Sequence, residues 1–172
     1  GGSAGSPDVG KAPKPTAAPG VGSVGTPLPH LVIEHALHTE PGLQLADLRG
    51  KVVVLDFFAS WSSASLTLMS TRNELQTRHG RALHLLGVTT FCGFGTDFPI
   101  GAKTPSDGIS VVGLDRNREI ALYENLSRAL SIDRPILFTS EQCLRKTFDI
   151  AELPTSIVVG KDGRVVGRVS GS

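Results

Sequence analysis

From residue 31 onward, apolar runs and helical-period stripes alternate along the chain. Residues 52–58 (Val-Val-Val-Leu-Asp-Phe-Phe) form a nearly continuous apolar run rich in β-branched and aromatic side chains. That pattern predicts a central strand covered on both faces. A helix is expected over 63–78, ending at His79-Gly80, where glycine suits a C-cap. Residues 83–88 predict a second buried strand, and a strand–helix–strand unit of this kind makes the two strands parallel with a right-handed crossover. Leu122, Leu126, Ala129 and Leu130 fall on one helical face. Residues 136–138 predict a short strand, and Ser140 is placed to cap a helix carrying Leu144, Phe148 and Ala151 on one side. Residues 156–159 and 164–169 flank Gly160-Lys161-Asp162-Gly163, a hairpin signal. Two short strands, 31–33 and 43–45, are expected around Pro41-Gly42, and the Gly- and Pro-punctuated stretch 93–115 reads as an inserted loop. The fold class is therefore α/β: a mixed, partly parallel sheet flanked by helices, with an N-terminal hairpin.

Composition changes this picture at the N-terminus. Residues 1–29 are dominated by Gly, Pro, Ala and Ser and contain no aromatic residue. Such a stretch buries too little apolar area to offset its ordering entropy, so it reads as a flexible linker ahead of one domain over 30–172. The chain begins Gly-Gly, and Met69 is its sole methionine, which is expected of a polypeptide processed or excised from something longer.

Charge and special residues narrow the function classes. The 17 basic and 16 acidic residues leave a net charge of +1, which gives no electrostatic reason to expect a nucleic-acid partner. No apolar run approaches the roughly 18 residues needed to cross a bilayer, so this segment is expected not to insert. Two cysteines allow at most one disulfide, and His35 and His38 alone do not make a metal site, so no metal or cofactor is expected.

Residues 51–65 (Lys-Val-Val-Val-Leu-Asp-Phe-Phe-Ala-Ser-Trp-Ser-Ser-Ala-Ser) resemble the active-site segment of thioredoxin-like proteins, where a strand runs into a Trp-Cys-x-x-Cys motif that opens a helix. The preceding Leu48-Arg49-Gly50-Lys51 is similar to the entry of the extracytoplasmic TlpA/ResA branch and of redoxin (AhpC/TSA) domains. Leu86-Gly87-Val88-Thr89 resembles that branch's next strand, and residues 152–163 resemble the segment bearing its cis-proline, here Pro154. The resemblance spans residues 31–170 and implies a thioredoxin-like fold. It also implies a C-terminal helix that the chain, stopping at Ser172, lacks, with exposed sheet and self-association as expected consequences of truncation.

The motif departs from the family where its chemistry resides. Ser62 and Ser65 stand at the two cysteine positions, and a serine hydroxyl has no disulfide state. Ser62 reads first as an N-cap, and no base and orienting acid for a serine nucleophile are recognisable. Asp56, six residues ahead of Ser62, matches the family's buried proton acceptor, and burial would raise its pKa. Cys92, after the second buried strand, and Cys143, in the first turn after Ser140, read as small buried hydrophobes. The alternative for both is a redox role, and a Cys92–Cys143 disulfide stays open.

Three functions are carried forward. In the first, the domain is redox-silent and binds a protein or peptide in a groove made by Trp61 and the cis-proline segment Leu153, Pro154 and Thr155. In the second, it is a thiol-disulfide oxidoreductase seen as a Cys-to-Ser variant; in the third, a peroxide- or thiol-reactive enzyme using Cys92. Whether the chain is an enzyme stays open at this point. The linker and the TlpA/ResA resemblance imply an extracytoplasmic protein, whether periplasmic, secreted or membrane-tethered.

Overall fold

The computed structural model describes Gly2 and residues 22–171. Its centre is a six-stranded mixed sheet in the order β1 (His35–Leu37), β6 (Ile136–Thr139), β3 (Leu83–Thr90), β2 (Val52–Phe57), β7 (Thr155–Val159) and β8 (Val165–Ser170), with a separate two-stranded sheet of β4 (Phe94–Asp97) and β5 (Ile109–Val112). β2 (Val52–Phe57) and β3 (Leu83–Thr90) run parallel with Leu55 opposite Leu86, and β3 pairs parallel to β6 (Ile136–Thr139). β7 (Thr155–Val159) and β8 (Val165–Ser170) form the predicted antiparallel hairpin on the other side of β2.

The period-two alternation of β2 divides the core. Val53, Leu55 and Phe57 pack on one face with Val88, Leu137, Phe148 and Ile157. Phe58 points to the other face, against Leu66, Met69, Leu122 and Tyr123. Both faces are covered, so β2 carries apolar residues at consecutive positions rather than alternating with polar ones. The expected first helix is two: α1 (Ser63–Thr67) and α2 (Met69–His79), separated at Leu68. Gly80 ends α2 at φ +52°, where the missing Cβ removes the steric penalty. Asp115 caps α3 (Arg116–Ala129) by accepting the Arg118 N–H at 2.8 Å.

Several expectations are corrected. The N-terminal hairpin does not form. A strand at β1 (His35–Leu37) instead pairs antiparallel to β6, and residues Leu45–Leu48 form a 3-10 turn. Leu31 belongs to the core without being in a strand, since its side chain is buried from an irregular segment. The 93–115 stretch is not a plain loop: β4 (Phe94–Asp97) and β5 (Ile109–Val112) pair antiparallel within it. Ser140 does cap, its Oγ accepting the Cys143 N–H at 3.0 Å, but the following turn is π-helical over Cys143–Thr147. The helix ends at Phe148, so Ala151 lies beyond it and is exposed, while Ile150 is buried.

Most of residues 1–29, the expected linker, lies outside the described residues. Residues 22–29 are described, and hydrogen-bond the turn before β8 and its first residue. Gly25 N donates to Val165 O at 2.7 Å, Val165 N to Thr26 O at 2.8 Å, and Leu28 N to Gly163 O at 3.0 Å. Composition undersells this stretch because backbone hydrogen bonds need no particular side chains.

Candidate functional site

The chain leaves the C-terminal end of β2 through Phe58, whose N–H donates to Val88 O at 3.0 Å, and reaches Ser62 four residues later. Ser60 is fully buried, and its N–H donates to Tyr123 Oη at 3.1 Å. Tyr123 Oη lies 2.8 Å from Thr89 Oγ1, and burial pushes the phenol up to about 12, so it stays protonated.

Ser62 has extended backbone (φ −90°, ψ 107°), and its Oγ accepts the Ser65 N–H at 3.2 Å, so it is the N-cap of α1. Ser65 is fully buried, and among the described residues its Oγ has no hydrogen-bond partner. No histidine or carboxylate hydrogen-bonds either hydroxyl among the described residues, so neither is activated as a nucleophile.

Trp61 is 48% exposed, with its ring 6.2 Å from that of Phe94 on β4. The Leu153-Pro154 bond is cis, and Thr155 lies opposite Phe57 at the C-terminal end of β2. Leu153, Pro154 and Thr155 are therefore carried to the same end of the sheet as Trp61 and Ser62. Thr155 is buried, its Oγ1 donating to Glu152 O at 2.7 Å, while Pro154 O accepts Gly171 N–H at 2.8 Å.

Asp56 lies beneath this end of the sheet and is almost fully buried. Its Oδ2 is 3.4 Å from Arg72 Nε, and its Oδ1 accepts Ser156 Oγ–H at 3.2 Å. Arg72 Nη2 donates to Ser156 Oγ at 3.1 Å, closing a three-residue ring. Arg134, also buried, donates to Asn73 Oδ1 at 2.6 Å. Burial raises the Asp56 carboxyl above its ordinary range, while the charges of Arg72 and Arg134 and the Ser156 hydrogen bond oppose that shift. Burial lowers the Arg134 guanidinium. Sequence reading missed Arg72, Arg134 and Ser156. Only Ser156 was within reach, as the residue that a β2–β7 pairing sets opposite Asp56.

Cys92 is half-buried. Its N–H donates to Glu119 Oε1 at 2.9 Å, and its Sγ lies 3.4 Å from the same oxygen and 3.2 Å from Phe94 O. Burial first, and the Glu119 carboxylate after it, push the thiol up to about 11. That is the reverse of an activated thiolate. Cys143 is buried, its Sγ 3.9 Å from His30 O. Both cysteines are free, so the disulfide left open between them does not form.

No family model matches the chain. It is 25% identical over 129 residues to "Thiol-disulfide oxidoreductase ResA" of Bacillus thuringiensis (strain Al Hakam), covering 75% of this chain and 60% of that protein. The chain thus spans about three-fifths of the length of that curated relative. Among solved structures it is similar to a thioredoxin-like protein in the oxidized form, with TM-score 0.62, 20% identity, and 85% and 84% of the two chains covered. It is also similar to the pneumococcal exposed lipoprotein thioredoxin of Streptococcus pneumoniae strain TIGR4, with TM-score 0.52, 23% identity, and 76% and 82% covered. At these identities the structural likenesses speak for the fold, and the sequence likeness for the branch. With the strand order and the Trp61–Ser65 turn already described, they make this chain a thioredoxin-like domain whose sequence is similar to the TlpA/ResA type.

Proposed function

We propose that this domain is redox-silent and binds an extended polypeptide at the end of the sheet that carries Trp61 and the Leu153–Pro154–Thr155 segment. One observation carries the reading: both thiol positions of the family hold hydroxyls, one capping α1 and the other buried. Neither can form the mixed disulfide that exchange requires. The exposed Trp61 and Phe94 rings supply a face suited to an apolar side chain of such a partner. The Cys92 alternative is disfavoured because its thiol is held protonated. The likeness to an exposed lipoprotein thioredoxin supports an extracytoplasmic location. Among the described residues no helix is long and apolar enough to cross a membrane.

Two measurements test the reading. The purified domain should not accelerate the reduction of insulin disulfides by dithiothreitol above the uncatalysed rate. Catalysis that persists after Cys92→Ala and Cys143→Ala would overturn redox silence. Trp61 is the chain's sole tryptophan, so its fluorescence reports occupancy of this end directly. Titration with unfolded-protein peptides should give a saturable change, lost in binding assays on Trp61→Ala; a flat titration across apolar and polar peptides would overturn the binding role. A second reading, an oxidoreductase whose cysteines were exchanged, is favoured by the retained Asp56 beneath the motif. Ser62→Cys with Ser65→Cys should then form a disulfide and gain exchange activity.

A further inference from the structure

At the opposite end of β2 from Ser62 lies a cavity of about 260 Å³. Its floor is Leu31, Val53 and Val159, all buried, and Leu48 from the 3-10 turn lines one side. Backbone hydrogen bonds frame it: Leu28 N donates to Gly163 O at 3.0 Å, and Gly50 N to Lys161 O at 2.8 Å. Arg49 and Lys51 line its mouth, both exposed. Gly163 has φ +80°, and a Cβ there would stand 3.2 Å from Arg49 Nε, so the glycine gives that guanidinium room over the turn.

Charge and shape select the occupant. Among the described residues, no acidic residue lines the cavity. The two nearest in sequence are turned to their own backbone: Asp47 Oδ2 accepts Gln44 N–H at 3.1 Å and Asp162 Oδ1 accepts Arg164 N–H at 3.1 Å. Among the described residues, Arg49 and Lys51 make no ion pair. An apolar floor with unpaired cations at the rim matches a molecule with an apolar tail and one anionic head. With roughly 30 Å³ per water-sized group, the cavity holds about eight to ten such groups.

We propose that this cavity binds a medium-chain carboxylate, its unbranched tail on Leu31, Val53 and Val159 and its carboxylate between Arg49 and Lys51. The site is independent of the reading given to Ser62 and Trp61.

Amide chemical-shift titration of the intact chain tests it, with decanoate held below its micellar range. Decanoate should shift the Leu31, Val53 and Val159 amides saturably. Octanoate should bind about fifteenfold more weakly, since each of the two lost methylenes is worth about a fourfold change. Decanol should bind at least tenfold more weakly than decanoate, and decyltrimethylammonium should not bind. Arg49→Gln with Lys51→Gln should weaken decanoate at least tenfold and leave decanol unchanged. Ala46→Trp, at an exposed position on the rim, should abolish both. Each variant's amide spectrum away from the cavity serves as the folding control. Absence of saturable shifts at these amides, equal binding of the ammonium, or unchanged decanoate affinity in the double variant would each overturn the proposal. So would shifts there that grow with protein concentration alone, which would assign the surface to a second copy.

Discussion

Ser62 Oγ accepts the backbone N–H of Ser65 at 3.2 Å, so the first hydroxyl of the Ser-x-x-Ser pair caps the helix that buries the second. The two serines therefore do different things. Ser62 satisfies one of the orphan donors at the start of α1, while Ser65 buries an oxygen with no partner among the described residues.

Their alanine variants should separate accordingly. Ser62→Ala should cost about 1 kcal/mol, seen as a melting temperature lower by roughly 2–4 °C. Ser65→Ala should be neutral or slightly stabilising, because it removes a buried polar atom that makes no hydrogen bond. Equal losses in urea denaturation of the two variants would contradict the capping assignment.

The Asp56 carboxyl should leave a mark on stability against pH. Burial raises its folded pKa above the ordinary value of 3.8, so the folded state holds this proton more tightly than the unfolded state does. Its contribution to stability is full below the unfolded pKa and is lost as pH rises through the raised folded value. Denaturation midpoints of the chain and of Asp56→Asn, measured from about pH 4 to about pH 8, should give a difference that falls with rising pH. A difference that stays constant would mean that Arg72 and Ser156 compensate burial in full. Arg72→Met should accentuate the fall, because it removes the nearest opposing charge.

Cys92 should be a slow thiol. With its pKa at about 11, the thiolate fraction at mildly alkaline pH is about two orders of magnitude below that of a free cysteine. Iodoacetamide labelling of native Cys143→Ala at about pH 8 should be slower by a similar factor than labelling of the unfolded chain. Glu119→Gln should speed it, since the carboxylate beside Sγ raises the thiol, but only in part, because burial is the larger cause. Native labelling at the free-cysteine rate would revive a reactive role for this residue.

Gly95 on β4 lies against the turn that carries Trp61. A Cβ built there would overlap Ser60 Oγ and stand 3.3 Å from Ser60 Cβ. Gly95→Ala should destabilise the domain by about 1–3 kcal/mol. Ser60→Ala in the same chain should recover much of that loss, because it removes the overlapping oxygen. A double-mutant cycle reads the coupling directly, and additivity within about 0.5 kcal/mol would show that the two do not meet.

The frame of the fold was legible where local periodicity carries the information. β2, β3, α3 and the β7–β8 hairpin follow from runs of apolar residues, a 3.6-residue stripe and a Gly-containing turn, all readable within a short window. The expected hairpin at 31–45 failed because short apolar triplets fit a strand and a buried irregular segment equally well. Leu31 took the second role and left β1 to pair with β6 instead.

The sequence by itself also determined the chemical limit of the motif, because a hydroxyl at positions 62 and 65 cannot become a disulfide in any fold. The tertiary structure alone decided the state of the groups around it. Asp56 meets Ser156, which lies 100 residues away along the chain, and Cys92 meets Glu119 across 27. Desolvation and Coulomb forces depend on distance through space and on how much water burial removes. Neither quantity exists for a residue until the distant strands and helices have closed around it.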